Sequence, residues 1–202
     1  MRSIKTLTTL ALEGAADRHW YTTARTTINT LASRYEVPPG HVANIAAVLS
    51  PRISVSRNIT LLTAFLSTFY WKPDPDPTPS DRLSSLAGFG SDHKVLPATI
   101  SALRHYLTTG RIRGPKTSQF AAALAGNDNA CPLDIWMARA LDVPQASLSR
   151  RGPRALAVSR ITQVAHSLSW PIASTQAALW AAAYRRHFAS PILPSFTLTP
   201  SE

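Results

Sequence analysis

Residues 110–120 read Gly110-Arg111-Ile112-Arg113-Gly114-Pro115-Lys116-Thr117-Ser118-Gln119-Phe120, and they lie between two stretches of helical spacing. The run Leu103 to Thr109 closes one helix and Lys116 opens the next. The residues between them are too few to leave the neighbourhood, so two helices must follow one another through a tight cationic turn. The first backbone N–H groups of a helix have no acceptor within it, and the aligned peptide dipoles add positive character there. A phosphate fits such a place. Arg111 and Arg113 add two guanidinium groups beside it.

Working outward, the pattern is helical almost throughout. Trp20, Ala24, Ile28, Leu31 and Tyr35 recur at helical spacing and predict a helix over 16–35. Val42 to Leu49 is apolar nearly all round, which predicts a buried helix after Pro38-Pro39-Gly40, with Pro39 suited to a first turn. Further helices are expected over 55–70, 97–109, 116–124, 134–141, 153–168 and 174–188. Prolines at 73, 75, 77 and 79 forbid a helix over 72–79 and favour an extended surface excursion. There is no internal repeat and no run of strand-like segments. The expectation is an all-α fold: a compact bundle of about eight short helices in one domain over 1–188, followed by a loose Pro/Ser/Thr-rich tail over 189–202.

The bulk composition narrows the function classes. Lys+Arg number 21 against 11 acidic residues, a formal charge of +10, and only Lys5, Lys72, Lys94 and Lys116 are lysines. Arginine is the cation best matched to phosphate. The excess favours a polyanionic partner, foremost nucleic acid. One cysteine, Cys131, excludes an internal disulfide and any all-cysteine cluster. The six histidines show no metal-ligand spacing, and no Walker loop or dinucleotide fingerprint is present. No cofactor or metal is therefore expected. No apolar run approaches the roughly 20 residues of a membrane helix, and the first residues do not read as a secretory leader. A monomer in the cytoplasm is the expectation.

The glycine-containing turn before Lys116, followed eighteen residues later by Asp134 in Leu133-Asp134-Ile135-Trp136-Met137-Ala138-Arg139, resembles the helix–hairpin–helix superfamily of DNA glycosylases, and more closely its endonuclease III branch. Gly126, Pro132 and Asp134 match the family's Gly/Pro loop and acid. Val48-Leu49-Ser50-Pro51-Arg52, with Asn58 after a short gap, resembles the segment that contacts the flipped base and the DNA. The resemblance spans about residues 43–141. It departs at Ile112 and Arg113, which stand where the family's first hairpin glycine and the following apolar residue would be. It departs again at Trp136, two residues after the acid, where the family often has histidine. The iron–sulfur cluster common in that branch is impossible with one cysteine.

The resemblance implies roles. Lys116 would be the nucleophile that attacks the sugar carbon, and Asp134 the carboxylate that stabilises its developing positive charge. Arg52, Arg57, Asn58, Arg111, Arg113, Gly114 and Thr117 would contact DNA, with Arg57 or Asn58 filling the gap left by the flipped base. Trp20, Tyr21 and Trp136 would stack on that base, and Ser50 or Arg52 would read its edge. Each residue has a plainer role too. Lys116 suits a phosphate contact, Asp134 a helix N-cap, and the tryptophans a core. Arg151, in Arg150-Arg151-Gly152-Pro153-Arg154, enters a helix as either a second phosphate contact or a solvated charge. Four functions follow: a DNA glycosylase with or without AP lyase activity; a glycosylase-fold enzyme that remodels hypermodified bases of viral DNA; a non-catalytic DNA-binding module; and a helical interaction protein with no nucleic-acid partner.

Overall fold

The computed structural model describes residues 1–70, 79–189 and 192–198. Among them the protein is all-helical, with no strand. Ten α-helices follow in order: α1 (Ile4–Glu13), α2 (Trp20–Arg34), α3 (Pro39–Leu49), α4 (Val55–Tyr70), α5 (Pro79–Asp92), α6 (Pro97–Thr109), α7 (Pro115–Leu124), α8 (Ile135–Leu141), α9 (Arg151–Leu168) and α10 (Ile172–Phe188). Short 3-10 turns occupy Ala15–Asp17 and Gln145–Ser149. Eight of the helices fall where periodicity predicts them, with ends shifted by a few residues at most. α1 and α5 are additional. The excursion expected over 72–79 lies outside the described residues except for Pro79, which opens α5.

Local chemistry sets the ends. Pro39 and Pro97 sit in the first turns of α3 and α6, where a missing N–H costs nothing. Ser3 caps α1, its hydroxyl accepting from Thr6 N at 3.2 Å. Left-handed residues close several helices: Gly110 at φ 68° after α6, Asp142 at 56° after α8 and Ser169 at 54° after α9.

The chain forms two compact units, each assembled from two sequence segments. The first holds Met1–Thr23 and Ala122–Leu193. Its centre is α10, which packs against α1, α8 and α9. Leu7, Leu10, Met137, Leu141, Ile161 and Leu179 are buried there. α10 is alanine-rich because three helices crowd it; Ala173, Ala177, Ala178 and Ala181 to Ala183 are all buried. The crowding is sharpest at Gly14, where a Cβ would stand 2.0 Å from the Ala178 carbonyl oxygen. Only glycine fits at that contact.

The second unit holds Ala24–Ala121 and Pro194–Glu202. α3 packs on α4 and α6, and α5 on α6. α3 is buried at Val42, Ala43 and Ile45 through Leu49, the all-round burial that its composition predicts. Phe65, Phe69 and Phe89 form an aromatic knot, with Phe65 and Phe89 edge to face at 5.3 Å. Residues 192–198 carry no helix, but they are tied down. Phe196 is buried, and its carbonyl accepts from the Thr27 hydroxyl at 2.7 Å.

Candidate nucleic-acid interface

The turn between α6 and α7 lies in the second unit. Gly110 N donates to Tyr106 O at 2.8 Å and closes α6. The Thr109 hydroxyl then accepts from Arg111 N at 3.2 Å. Gly114, at φ 85°, turns the chain into α7, and its carbonyl accepts from both the N–H and the hydroxyl of Ser118. Two glycines in the left-handed region, Gly110 and Gly114, thus supply the bends at the two ends of the turn. Ile112 instead tucks inward, half-buried, while Arg111, Arg113, Gly114 and Lys116 are exposed and Thr117 is half-buried. The first turn of α7 contains no acidic residue. Among the described residues no carboxylate pairs with Arg111, Arg113 or Lys116. Three cations therefore face water beside the N–H groups of a helix start.

The turn between α3 and α4 is also in this unit. Arg52 is exposed and holds φ at 63°, a left-handed conformation uncommon for a residue with a side chain. The Ser50 hydroxyl is turned back, donating to Ala47 O at 2.8 Å. Ser54 caps α4 by accepting from Arg57 N. The Arg57 side chain donates to His93 O at 2.6 Å and so ties α4 to the end of α5. Asn58 corrects the sequence expectation. It is 3% exposed, and its Nδ2 donates to Ala46 O at 2.9 Å, so its amide fastens α4 to α3 rather than facing a ligand.

The other singled-out residues belong to the first unit. The segment from Gly126 to Asp134 is bound along its length. Asn127 N donates to Ala122 O, Asp128 O accepts from Ala173 N, and Pro132 O accepts from Gln176 Nε2 at 3.1 Å. Gln176, 2% exposed, also accepts from the Tyr21 hydroxyl at 2.8 Å. Tyr21 is thus a buried strut, not the free stacking surface expected of it. Burial first, then the Asp134 carboxylate and Cys131, push its hydroxyl pKa well up. Burial likewise pushes the Cys131 thiol up to about 12. Asp134 Oδ1 accepts from Trp136 N at 2.9 Å and Met137 N at 3.0 Å and caps α8. Trp20 is half-buried against Tyr21 and Trp180. Trp136 is half-buried against Tyr184, His187 and Phe188, with the Arg139 guanidinium over its ring at 4.4 Å. Arg151 is exposed at the start of α9. Lys116 therefore belongs to one unit and Asp134 to the other.

A polar chain in the second unit has no signal in the sequence. His41 Nε2 meets the Tyr70 hydroxyl at 2.6 Å and His41 Nδ1 the Tyr106 hydroxyl at 2.7 Å. Asn44 Nδ2 donates to that Tyr106 hydroxyl at 3.0 Å. Burial raises the Tyr106 pKa, and the Asn44 bond opposes the rise. The signal is absent because His41, Tyr70 and Tyr106 lie on three different helices.

These features define, among the described residues, an all-helical protein with an exposed cationic turn at a helix start. Among the described residues no helix is long and apolar enough to cross a membrane. The chain belongs to a family described as a family of unknown function (DUF7178), whose model matches residues 9–187. No curated protein and no solved structure matches the chain.

Proposed function

We propose that this protein is a DNA-binding enzyme of the helix–hairpin–helix glycosylase type, acting on the bond between a damaged or modified base and its sugar. One observation carries the DNA-binding part: Arg111, Arg113 and Lys116 stand exposed around the start of α7, with no carboxylate partner among the described residues, in a chain with formal charge +10. Cations held this way bind phosphodiester backbone by releasing condensed counterions, without regard to sequence. The turn would serve as the hairpin of the motif. The catalytic part rests on residue type and spacing. Lys116 supplies an exposed amine for attack on the sugar carbon, the base leaves, and the resulting Schiff base opens to β-elimination.

Borohydride trapping on duplexes carrying damaged or modified bases tests this reading. A covalent protein–DNA adduct that disappears in Lys116→Ala is expected. Salt-sensitive binding with no adduct on any substrate, and no released base, would leave only the non-catalytic module. An altered base that stays attached to its sugar, seen by product mass, would instead identify a remodelling enzyme. The capping role of Asp134 favours the non-catalytic module as the second reading, because it accounts for the carboxylate without any chemistry.

A further inference from the structure

The first unit carries an aromatic surface of which the glycosylase reading uses only Trp20 and Trp136. Trp180, Tyr184 and Phe188 stand at successive four-residue steps along α10, so they share one stripe of the helix. Their rings run in file, Trp180 to Tyr184 at 5.4 Å and Tyr184 to Phe188 at 4.7 Å. Trp20 extends the file beyond Trp180 at 6.0 Å. Trp136 flanks it, 5.0 Å from Tyr184 and 5.3 Å from Phe188. These rings are half-buried, and Phe188, at the outer end, is 53% exposed.

Trp180 packs its inner side against the core of the unit, and the file runs outward from it to the exposed Phe188. Contiguous exposed apolar surface on a basic protein marks a contact site. Its chemistry is set by what lies beside it. Arg139 is exposed and stacked at 4.4 Å over Trp136, with no carboxylate partner among the described residues. Rings with a guanidinium alongside make a platform for unpaired bases: each base offers a π-face, and its phosphate meets the cation.

We infer that the stripe of Trp136, Trp180, Tyr184 and Phe188, with Arg139, binds single-stranded DNA by stacking its bases. The inference rests on the DNA-binding reading above and adds the strand state recognised. Unpaired bases on one strand stack on α10, with Phe188 and Trp136 as the outer platform. Tryptophan emission would be quenched as bases cover Trp136 and Trp180.

The test uses the full chain and two labelled probes of equal length, an oligothymidylate and an abasic phosphodiester strand. The expected result is tighter binding of the oligothymidylate than of the abasic strand, with quenched tryptophan emission. Phe188→Ser should weaken oligothymidylate binding about tenfold and leave abasic-strand binding unchanged, whereas Arg139→Ser removes a phosphate contact and should weaken both. Phe188→Leu keeps an apolar side chain without the ring, so it guards against a fold effect, and it should weaken binding nearly as much. Equal affinity for both probes, or wild-type affinity in Phe188→Leu, would overturn the inference while leaving the cationic turn intact. So would a wild-type dimer in sedimentation that Phe188→Ser dissociates with strand binding unchanged, since a second copy would then be the occupant. Failure of the DNA-binding reading looks different: neither probe and no duplex would bind.

Discussion

The two segments that flank α7 make a pointed contrast. The turn before it, 110–114, has few anchoring bonds and exposes three cations at its end of the helix. The segment after it, 125–134, buries Ala130, Cys131, Pro132 and Leu133 and is stitched to α10 at Ala173 and Gln176. It ends in a helix start capped by the Asp134 carboxylate, whereas the earlier turn ends at Gly114, which has no side chain to cap with. Leaving N–H groups bare in water costs little. In a basic protein the bare end keeps its donors and its field available to an anion. A capped end has already used its donors for stability. The second segment is thus built for rigidity, while the first leaves its cations exposed.

The largest effect bearing on this contrast is expected at Gln176. Gln176→Ala would remove the bonds that Gln176 makes to the buried Tyr21 hydroxyl and Pro132 carbonyl and open a cavity. Urea unfolding should show a loss of about 3 kcal/mol, with the salt dependence of DNA binding unchanged. Next comes pH. Tyr21 and Cys131 both have folded-state pKa values raised above their unfolded values of 10.0 and 9.0. The unfolded chain therefore loses protons first as pH rises. Stability is intact below pH 9 and falls toward about 12, by ~1.4 kcal/mol per pH unit for each group in its window. Denaturant midpoints measured from about pH 8 to about pH 11 should slope downward, and Cys131→Ala should remove the earlier part of the slope.

Asp134 offers a smaller and more diagnostic effect. Asp134→Ala should cost about 1 kcal/mol through the lost cap, and Asp134→Ser should recover most of it. If borohydride trapping fails in both variants, the carboxylate acts in chemistry beyond its cap. If trapping survives in Asp134→Ser, capping is its whole role. The smallest effect on stability belongs to the first turn. Arg111→Ala with Arg113→Ala should change the unfolding free energy by less than about 0.5 kcal/mol. The slope of log affinity against log salt should become shallower by roughly 0.9 for each phosphate that is no longer neutralised. An unchanged slope would erase the distinction between the two segments.

Most helices are legible in the sequence because amphipathic spacing and proline punctuation agree, as in α4 and α6. α1 is hard to read because Thr6, Thr8 and Thr9 dilute the apolar pattern of Leu7, Leu10 and Ala11. Its one clear mark is the Ser3 cap. α5 hides for a similar reason: Gly88 and Gly90 sit among Leu86 and Phe89, and glycine argues against helix. The two units are hard to find in the sequence, since two of the three crossings between them fall within α2 and α7. At the candidate site, the exposed cations of the turn are legible because exposed charge needs no partner to be recognised. The fates of Asn58 and Tyr21 are not, because each is settled by a distant acceptor, Ala46 O and Gln176 Oε1. Spacing along a chain says which face a side chain occupies, not which group it meets.

Arg52 turns the chain where glycine would do so without steric penalty. A library of variants sorted only for heat resistance should drift to glycine at position 52, gaining up to about 1 kcal/mol. The same library sorted for retention on heparin should bring the guanidinium back. Two selections pulling one codon in opposite directions would mark this bend as a place where durability is traded for grip.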